Sequence, residues 1–300
     1  MITGLVSIIM PTYNHDKFIK RSINSVLSQN YKNWELIIID NYSTDLTENI
    51  INEIYDNRIV YLKLSNDGII AKSRNYGIRF SKGEYLAFLD SDDFWFPNKL
   101  DISISYLNSG NDFVYHDLYI TRTLNQFLFR EKIMTRKLNR DNVFNDLLYN
   151  GNAVATSSVV MRKDLIINVN LFTEDIEIIG GEDYECWIKI SKLTNKFYRL
   201  KGVFGLYSIM GQNTTSYKRN IDIANYISRK YLNFQNINRA QWLFYSKGYS
   251  FYKEKKFQEA YINLIKIRFL KIPIINYIKK YKMLVFIFLN KLSSSKINQF

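Results

Sequence analysis

Tyr85-Leu86-Ala87-Phe88-Leu89-Asp90-Ser91-Asp92-Asp93 reads as a buried strand that runs, without a spacer, into three carboxylates within four residues. Clustered carboxylates raise one another's pKa unless a cation lies among them, so this strand end predicts a hard divalent ion or a polycationic partner. An ion held by one or two carboxylates completes its shell with water and with phosphate oxygens of a ligand, which points to a nucleotide or diphosphate substrate. The plainer reading is an acidic turn that caps a helix starting near Pro97.

Three similar runs precede this one, at Val6–Met10, Glu35–Ile39 and Ile59–Leu64. Between them lie stretches with helical spacing, Phe18–Leu27, Leu46–Tyr55 and Ala71–Phe80. Strand and helix alternate, which predicts an α/β fold: a mostly parallel, doubly wound sheet whose ligands bind beyond the carboxyl ends of its strands. Thr12-Tyr13-Asn14, Asp40-Asn41, Asn66-Asp67-Gly68 and Asp90-Ser91-Asp92-Asp93 all fall at that edge. From Phe113 onward, strands are expected at Phe113–His116, Thr156–Met161 and Phe197–Tyr207, and helices at Asn142–Tyr149 and Tyr184–Leu193, extending the same sheet. The loops around Asp117–Asp141 and Gly205–Tyr217 follow no pattern. Beyond Lys218 the chain reads as helix. Gly248, Phe251, Ala260 and Leu264 match part of a tetratricopeptide spacing, but one repeat makes no solenoid, so a helical hairpin is expected.

Charge is unevenly placed. Met1–Tyr217 carries 24 Lys and Arg against 25 Asp and Glu, whereas Lys218–Phe300 carries 17 against 3. Pro273–Leu292 sets Ile274, Ile275, Ile278, Tyr281, Val285, Phe288 and Leu289 on one helical face, with Lys279, Lys280 and Lys291 elsewhere, as an anionic membrane surface requires. Packing of that face on the protein itself fits the same pattern. The longest apolar run there, Met283–Leu289, is far short of the roughly 20 residues of a membrane-spanning helix. Met1–Met10 lacks a basic leader and a cleavage pattern and reads as a first strand, so no secretion is expected. The single cysteine, Cys186, offers no disulfide or thiolate metal site and suits a reducing compartment. Cytoplasmic placement, at the inner face of the cytoplasmic membrane, is the expectation.

Gly180-Gly181-Glu182-Asp183-Tyr184-Glu185 forms a second acidic cluster at the start of a helix. The macrodipole favours a charged carboxylate there and the glycines let another molecule approach, which suits a general base; an ordinary N-capping acid is the alternative. Lys72 and Arg74 lie beside the nucleotide edge, where either can neutralise a diphosphate. Tyr13 is placed to stack on a base and Asp40 to accept a hydrogen bond from it or its ribose. No glycine-rich phosphate loop is present.

The order of these motifs resembles the inverting family 2 glycosyltransferases of GT-A fold. The matching text is Ser7–Asn14, Glu35–Asp40 with Ser43-Thr44-Asp45, Lys72–Gly77, Gly83–Asp93, and Glu182-Asp183 ahead of Trp187. The resemblance implies that Thr12, Tyr13 and Asp40 hold the nucleoside and Arg74 faces the diphosphate. It further implies that Asp90 and Asp92 form a DxD motif, with Asp92 as direct ligand of Mn²⁺ or Mg²⁺, and that Asp183 is the base, with Glu182 as alternative. The chain departs from the family at Asn41 and Tyr42, where a second Asp and a Gly are frequent. Residues 1–110 would form the nucleotide-sugar half of the GT-A domain, 111–217 the acceptor half and 218–300 a basic helical extension. A nucleotide-diphosphate sugar, a UDP-sugar, is then the expected donor, and a glycan or lipid-linked glycan of a surface polysaccharide the acceptor.

Two rival functions fit less of the chain. A sugar-phosphate nucleotidylyltransferase needs a basic glycine-rich loop where Pro11-Thr12-Tyr13-Asn14-His15 stands. A nucleic-acid-binding module, using Tyr226, Tyr231 and Trp242 for stacking, leaves both acidic clusters without a purpose, so no nucleic-acid partner is expected.

Overall fold

The structure, a computed structural model, describes residues 1–123, 131–133, 135–210, 216–268 and 272–297, with side chains of the last segment described as far as Asn290. The chain divides into two compact units, Met1–Phe144 with Ala153–Asn213, and Asn145–Asn152 with Thr214–Phe300.

In the first unit, β1 (Ile2–Thr12), α1 (Ile19–Leu27), β2 (Trp34–Asp40), α2 (Thr47–Asn52), β3 (Ile59–Lys63), α3 (Ile70–Phe80) and β4 (Gly83–Phe88) alternate as predicted. β1 lies between β2 and β4, β3 adds beyond β2, and all these pairs are parallel. Their continuous aliphatic runs follow from burial on both faces, the rule for parallel strands under helices. Ile19, Ile23 and Val26 point one stripe of α1 at that sheet, joining a core with Val6, Ile8, Leu36 and Ile38.

Next come β5 (Phe94–Trp95), α4 (Lys99–Asn108), β6 (Phe113–Thr121), β7 (Lys132–Ile133), α5 (Val143–Asn150), β8 (Val160–Arg162), α6 (Lys163–Asn168), α7 (Glu182–Ile190) and β9 (Phe197–Ser208). The sheet order is β3-β2-β1-β4-β8-β6-β9-β5, with β7 on β6. β8 runs antiparallel to both β4 and β6, while β6 and β9 are parallel, so the second half of the sheet is mixed. The strand expected over Thr156–Met161 is a correction: Thr156–Ser158 is a 3-10 turn and pairing begins only at Val160. Hydroxyl side chains there bond locally, Ser158 Oγ donating to the Ala155 carbonyl, which competes with a ladder.

The entry to β4 is tightly packed. Gly83 N–H donates to Ser7 Oγ at 2.9 Å, and Ser7 Oγ donates to Glu35 at 2.5 Å. A methyl group on Gly83 would lie 2.5 Å from the Leu5 carbonyl oxygen and 2.9 Å from the Ser7 backbone nitrogen, atoms that cannot swing aside. Gly83→Ala is therefore expected to cost about 1–3 kcal/mol in a urea titration. An unchanged midpoint would show that this crossing of β1 and β4 has slack.

The second unit holds α8 (Tyr217–Tyr231), α9 (Gln241–Lys253), α10 (Phe257–Leu264) and α11 (Ile274–Ile297), together with the end of α5. Trp242 Nε1–H donates to the Leu148 carbonyl at 2.9 Å, holding that end in place. α9 and α10 approach closely because Gly248 lacks a side chain: a Cβ there would lie 2.7 Å from Leu264. Phe244, Ala260, Leu264, Ile267, Met283 and Ile287 form the core between α9, α10 and α11. Among the described residues, no helix is long and apolar enough to cross a membrane.

Candidate active site

Four loops meet at the carboxyl edge of the parallel strands, and side-chain hydrogen bonds fix each to its neighbours. The loop after β4 is held from α1: Ser22 Oγ donates to the carbonyls of Ser91 and Asp93, and Arg21 donates to the Asp92 carbonyl at 2.8 Å. His15, in the loop after β1, shares a 2.6 Å hydrogen bond with Ser91 Oγ. Burial lowers the His15 pKa against the opposing pull of Asp90 and Asp45. His116, on β6, is buried and its pKa falls to about 3, chiefly through burial and then through Lys99.

The three acids after β4 have different surroundings. Asp93 is buried and accepts the Ser208 N–H at 2.8 Å, tying this loop to the end of β9. Asp90 accepts from Arg74 at 2.9 Å. Among the described residues no basic side chain forms an ion pair with Asp92, whose pKa is pushed up to about 7 by burial and then by the Asp90 carboxylate. Two all-oxygen carboxylates, one raised by the other, suit a hard divalent ion that draws its remaining ligands from a diphosphate. No group of three or more His, Cys, Asp or Glu among the described residues could hold an ion without such help.

Asp183 begins the other half of the site. Its helix α7 is fastened to the sheet by Trp187, whose ring lies 4.9 Å from Phe113 and 5.9 Å from Phe172. Gly180, at φ +85°, turns the chain into the helix. Asp183 is half-buried, accepts the Thr156 hydroxyl at 2.5 Å and its neighbour Tyr184 N–H at 2.6 Å, and has its pKa raised to about 6, first by burial and then by Glu182. At neutral pH it is mostly ionised, with a pKa close enough to accept a proton in a reaction.

Two residues to which the resemblance gives roles are engaged with each other inside the protein. Arg74 is 4% exposed and forks between Asp90, at 2.9 Å, and Glu182, at 2.7 Å. Those two anions, supplied by segments far apart in sequence, outcompete solvent for its guanidinium. Glu182 is held in that ion pair, with its second oxygen accepting the Gly180 N–H at 2.7 Å. Glu185 is buried and engaged by Thr173 and Lys189.

At the nucleoside end, Asp40 is buried and accepts from Ser43 N–H, Ser43 Oγ and the Tyr61 hydroxyl. Three donors leave it about one of a carboxylate's four lone-pair positions. Among the described residues Thr12 Oγ1 is buried without a partner, and Tyr13 is 47% exposed, so a hydrogen-bonding atom and an open ring stand together. Tyr42 takes φ +54°, the left-handed conformation in which a side chain is disfavoured, at the place where the resembled family often has Gly. Asn41 accepts the Asn66 N–H at 2.9 Å, linking the loops after β2 and β3.

Sequence reasoning missed Tyr61, Thr156 and Tyr207. Burial holds the Tyr207 phenol protonated, and the charges of Asp93, Asp90, Asp92 and Asp183 reinforce this. Tyr207 lies near the end of β9, where the expected strand Phe197–Tyr207 runs into the loop Gly205–Tyr217; residues 124–130, 134 and 211–215 of the two loops without a readable pattern lie outside the described residues.

The family model Glycosyl transferase family 2 matches residues 7–167. The chain is 36% identical over 192 residues to the UDP-Glc:alpha-D-GlcNAc-diphosphoundecaprenol beta-1,3-glucosyltransferase WfgD of Escherichia coli, a match covering 64% of this chain and 71% of that protein. Among solved structures, TarS of S. aureus in complex with UDP-GlcNAc is similar with a TM-score of 0.63 at 18% identity, over 88% of this chain and 81% of that one. The mannosyltransferase PcManGT of Pyrobaculum calidifontis, in complex with GDP-Man and Mn2+, is similar with a TM-score of 0.57 at 15% identity, over 87% and 74%. These structural likenesses bear on fold, and the GT-A architecture expected from the sequence is the one found.

Proposed function

The chain belongs to glycosyl transferase family 2, and from that premise we propose that it moves a sugar from a nucleotide-diphosphate donor, a UDP-sugar, onto a hydroxyl of a glycan or lipid-linked glycan in surface polysaccharide synthesis. The observation that carries this reading is the bridge Asp90–Arg74–Glu182, which joins two acidic sets; with Asp93 held by Ser208 and Glu185 by Thr173 and Lys189, Asp92 and Asp183 are the acids of these sets outside those contacts. One set suits the donor and the other the acceptor. The first-named relatives' UDP-sugar and diphosphoundecaprenol chemistry supports the donor and the lipid-linked acceptor. Such an acceptor would bring the chain to the inner face of the cytoplasmic membrane.

In the reaction, the Asp183 carboxylate takes the proton of the acceptor hydroxyl while that oxygen forms a bond to the anomeric carbon. The bond from that carbon to the diphosphate oxygen breaks on the opposite face, the electron pair leaves with the diphosphate, and the anomeric configuration inverts. Thr156 fixes the Asp183 carboxylate, and Trp187 fixes the helix that carries it. Asp90 and Asp92 would hold Mn²⁺ or Mg²⁺, which when bound supplies positive charge to the departing diphosphate. Thr12, Tyr13 and the remaining acceptor position of Asp40 would hold the nucleoside. Asp90 is kept in place for its task by Arg74.

The test is a thermal-shift screen of UDP, GDP and dTDP and their sugars, with and without Mn²⁺. A donor at about 100 times its Kd stabilises by about 2.7 kcal/mol, a rise of several degrees. UDP ligands are expected to give that rise only with the metal, and Asp92→Asn is expected to abolish the metal dependence. If no nucleotide moves the transition under either condition, the reading fails.

A further inference from the structure

We infer that the outward face of α11 is a membrane-contact surface that lies on anionic lipid headgroups. Ile274, Ile278, Tyr281, Val285, Phe288 and Leu289 are each between 49% and 63% exposed. At helical spacing these six fall within an arc of about 100°, the width of an apolar stripe that ordinarily faces a core. The opposite side of the same helix is already used, since Met283 and Ile287 are buried in the core of their own unit. α11 is therefore apolar on two sides, with one side covered.

Charge says what covers the other. No Asp or Glu occurs in Ile274–Ile297; Lys282 stands exposed at the edge of the stripe and Lys279 exposed farther round the helix. Lys266 and Arg268, just before α11, are exposed as well. An apolar stripe edged by cations and free of anions complements an anionic bilayer surface, with the side chains at the acyl boundary and the ammonium groups at the phosphates. A second copy of this face would bring the same lysines against each other, which disfavours self-association. The helix lies on the membrane and does not cross it.

Lys280 has another task than the sequence pattern gave it. It is buried, its Nζ donates to the Ile267 carbonyl at 2.8 Å, and the rings of Tyr277 and Tyr281 lie 5.0 and 5.2 Å from it. That contact pins α11 against the segment after α10 and fixes which face is turned outward. The inference rests on the second unit alone: it agrees with a lipid-linked acceptor but needs no sugar transfer.

The experiment is flotation of the full chain with phosphatidylcholine vesicles, with and without phosphatidylglycerol, read without any transferase assay. The wild type is expected to float with the anionic vesicles, to bind neutral ones far less, and to weaken in high salt. Val285→Glu with Phe288→Glu alters only exposed positions and is expected to cut binding at least about tenfold, with helix content and nucleotide-dependent thermal shift unchanged. Lys279→Glu with Lys282→Glu is expected to remove the preference for anionic over neutral lipid. Three results would overturn the inference: wild type that stays unbound, the apolar double variant floating as well as wild type, or a dimer in light scattering that this variant dissolves without any vesicle binding.

Discussion

Asp183→Asn is expected to lower turnover by about 100-fold or more, equivalent to about 2.7 kcal/mol in the barrier, with UDP affinity and thermal stability close to wild type. The substitution keeps the size of the side chain and an acceptor oxygen for the Thr156 hydroxyl, while removing the group that takes a proton. A split between lost turnover and retained donor binding is what distinguishes a base from a structural acid. The pH profile carries the same signature. Burial and Glu182 raise the Asp183 pKa to about 6, so the carboxylate form, the one able to accept a proton, dominates above that value. Transfer by the wild type should fall about tenfold per unit as pH drops below about 6, and the residual activity of the variant should lack that limb. Near-normal transfer by Asp183→Asn with its true acceptor would remove Asp183 from the role.

Arg74→Met should have the largest effect on the fold. The guanidinium is 4% exposed and serves Glu182, 6% exposed at its side chain, and Asp90, 29% exposed. Taking it away leaves Glu182 as an uncompensated buried charge, a loss of about 3–5 kcal/mol, whereas the better-solvated Asp90 adds little to the cost. A fall in Tm on the order of 10 °C follows. Arg74→Lys should recover only part of it, because an ammonium cannot fork to two carboxylates as a guanidinium does. The double variant Arg74→Met with Glu182→Gln should regain stability, since the stranded charge is gone, without regaining donor affinity, because Asp90 stays unheld. An unchanged Tm in the single variant would mean that the bridge is a solvated contact and not the tie between the two halves of the site.

The bridge also marks the limit of what can be read along a chain. Strand and helix positions before Phe88 were legible because both depend on local quantities: β-branched runs buried on two faces, and apolar residues repeating at helical spacing. The turn at Thr156–Ser158 was not, since three hydroxyl residues at the start of an apolar run look like a strand until Trp95 and Asp183 take up their backbone and side-chain groups. Tyr207 reads along the chain only as the end of a strand; its place in the site's electrostatics depends on carboxylates from distant segments.

By itself, the sequence determined the alternating fold, the edge at which polar loops gather, the two acidic clusters and the concentration of positive charge after Lys218. These are properties of composition and period, which a chain carries before it folds. Only the tertiary structure decided which acids have partners. Asp93 accepts from Ser208 and Glu182 pairs with Arg74, while Asp92 and Asp183 form no ion pair among the described residues. It also turned Lys280 inward and left the stripe of α11 outward. The physical reason is that a carboxylate's or ammonium's chemistry is set by its burial and by the charges brought beside it, and those partners lie as far as 108 positions away along the chain.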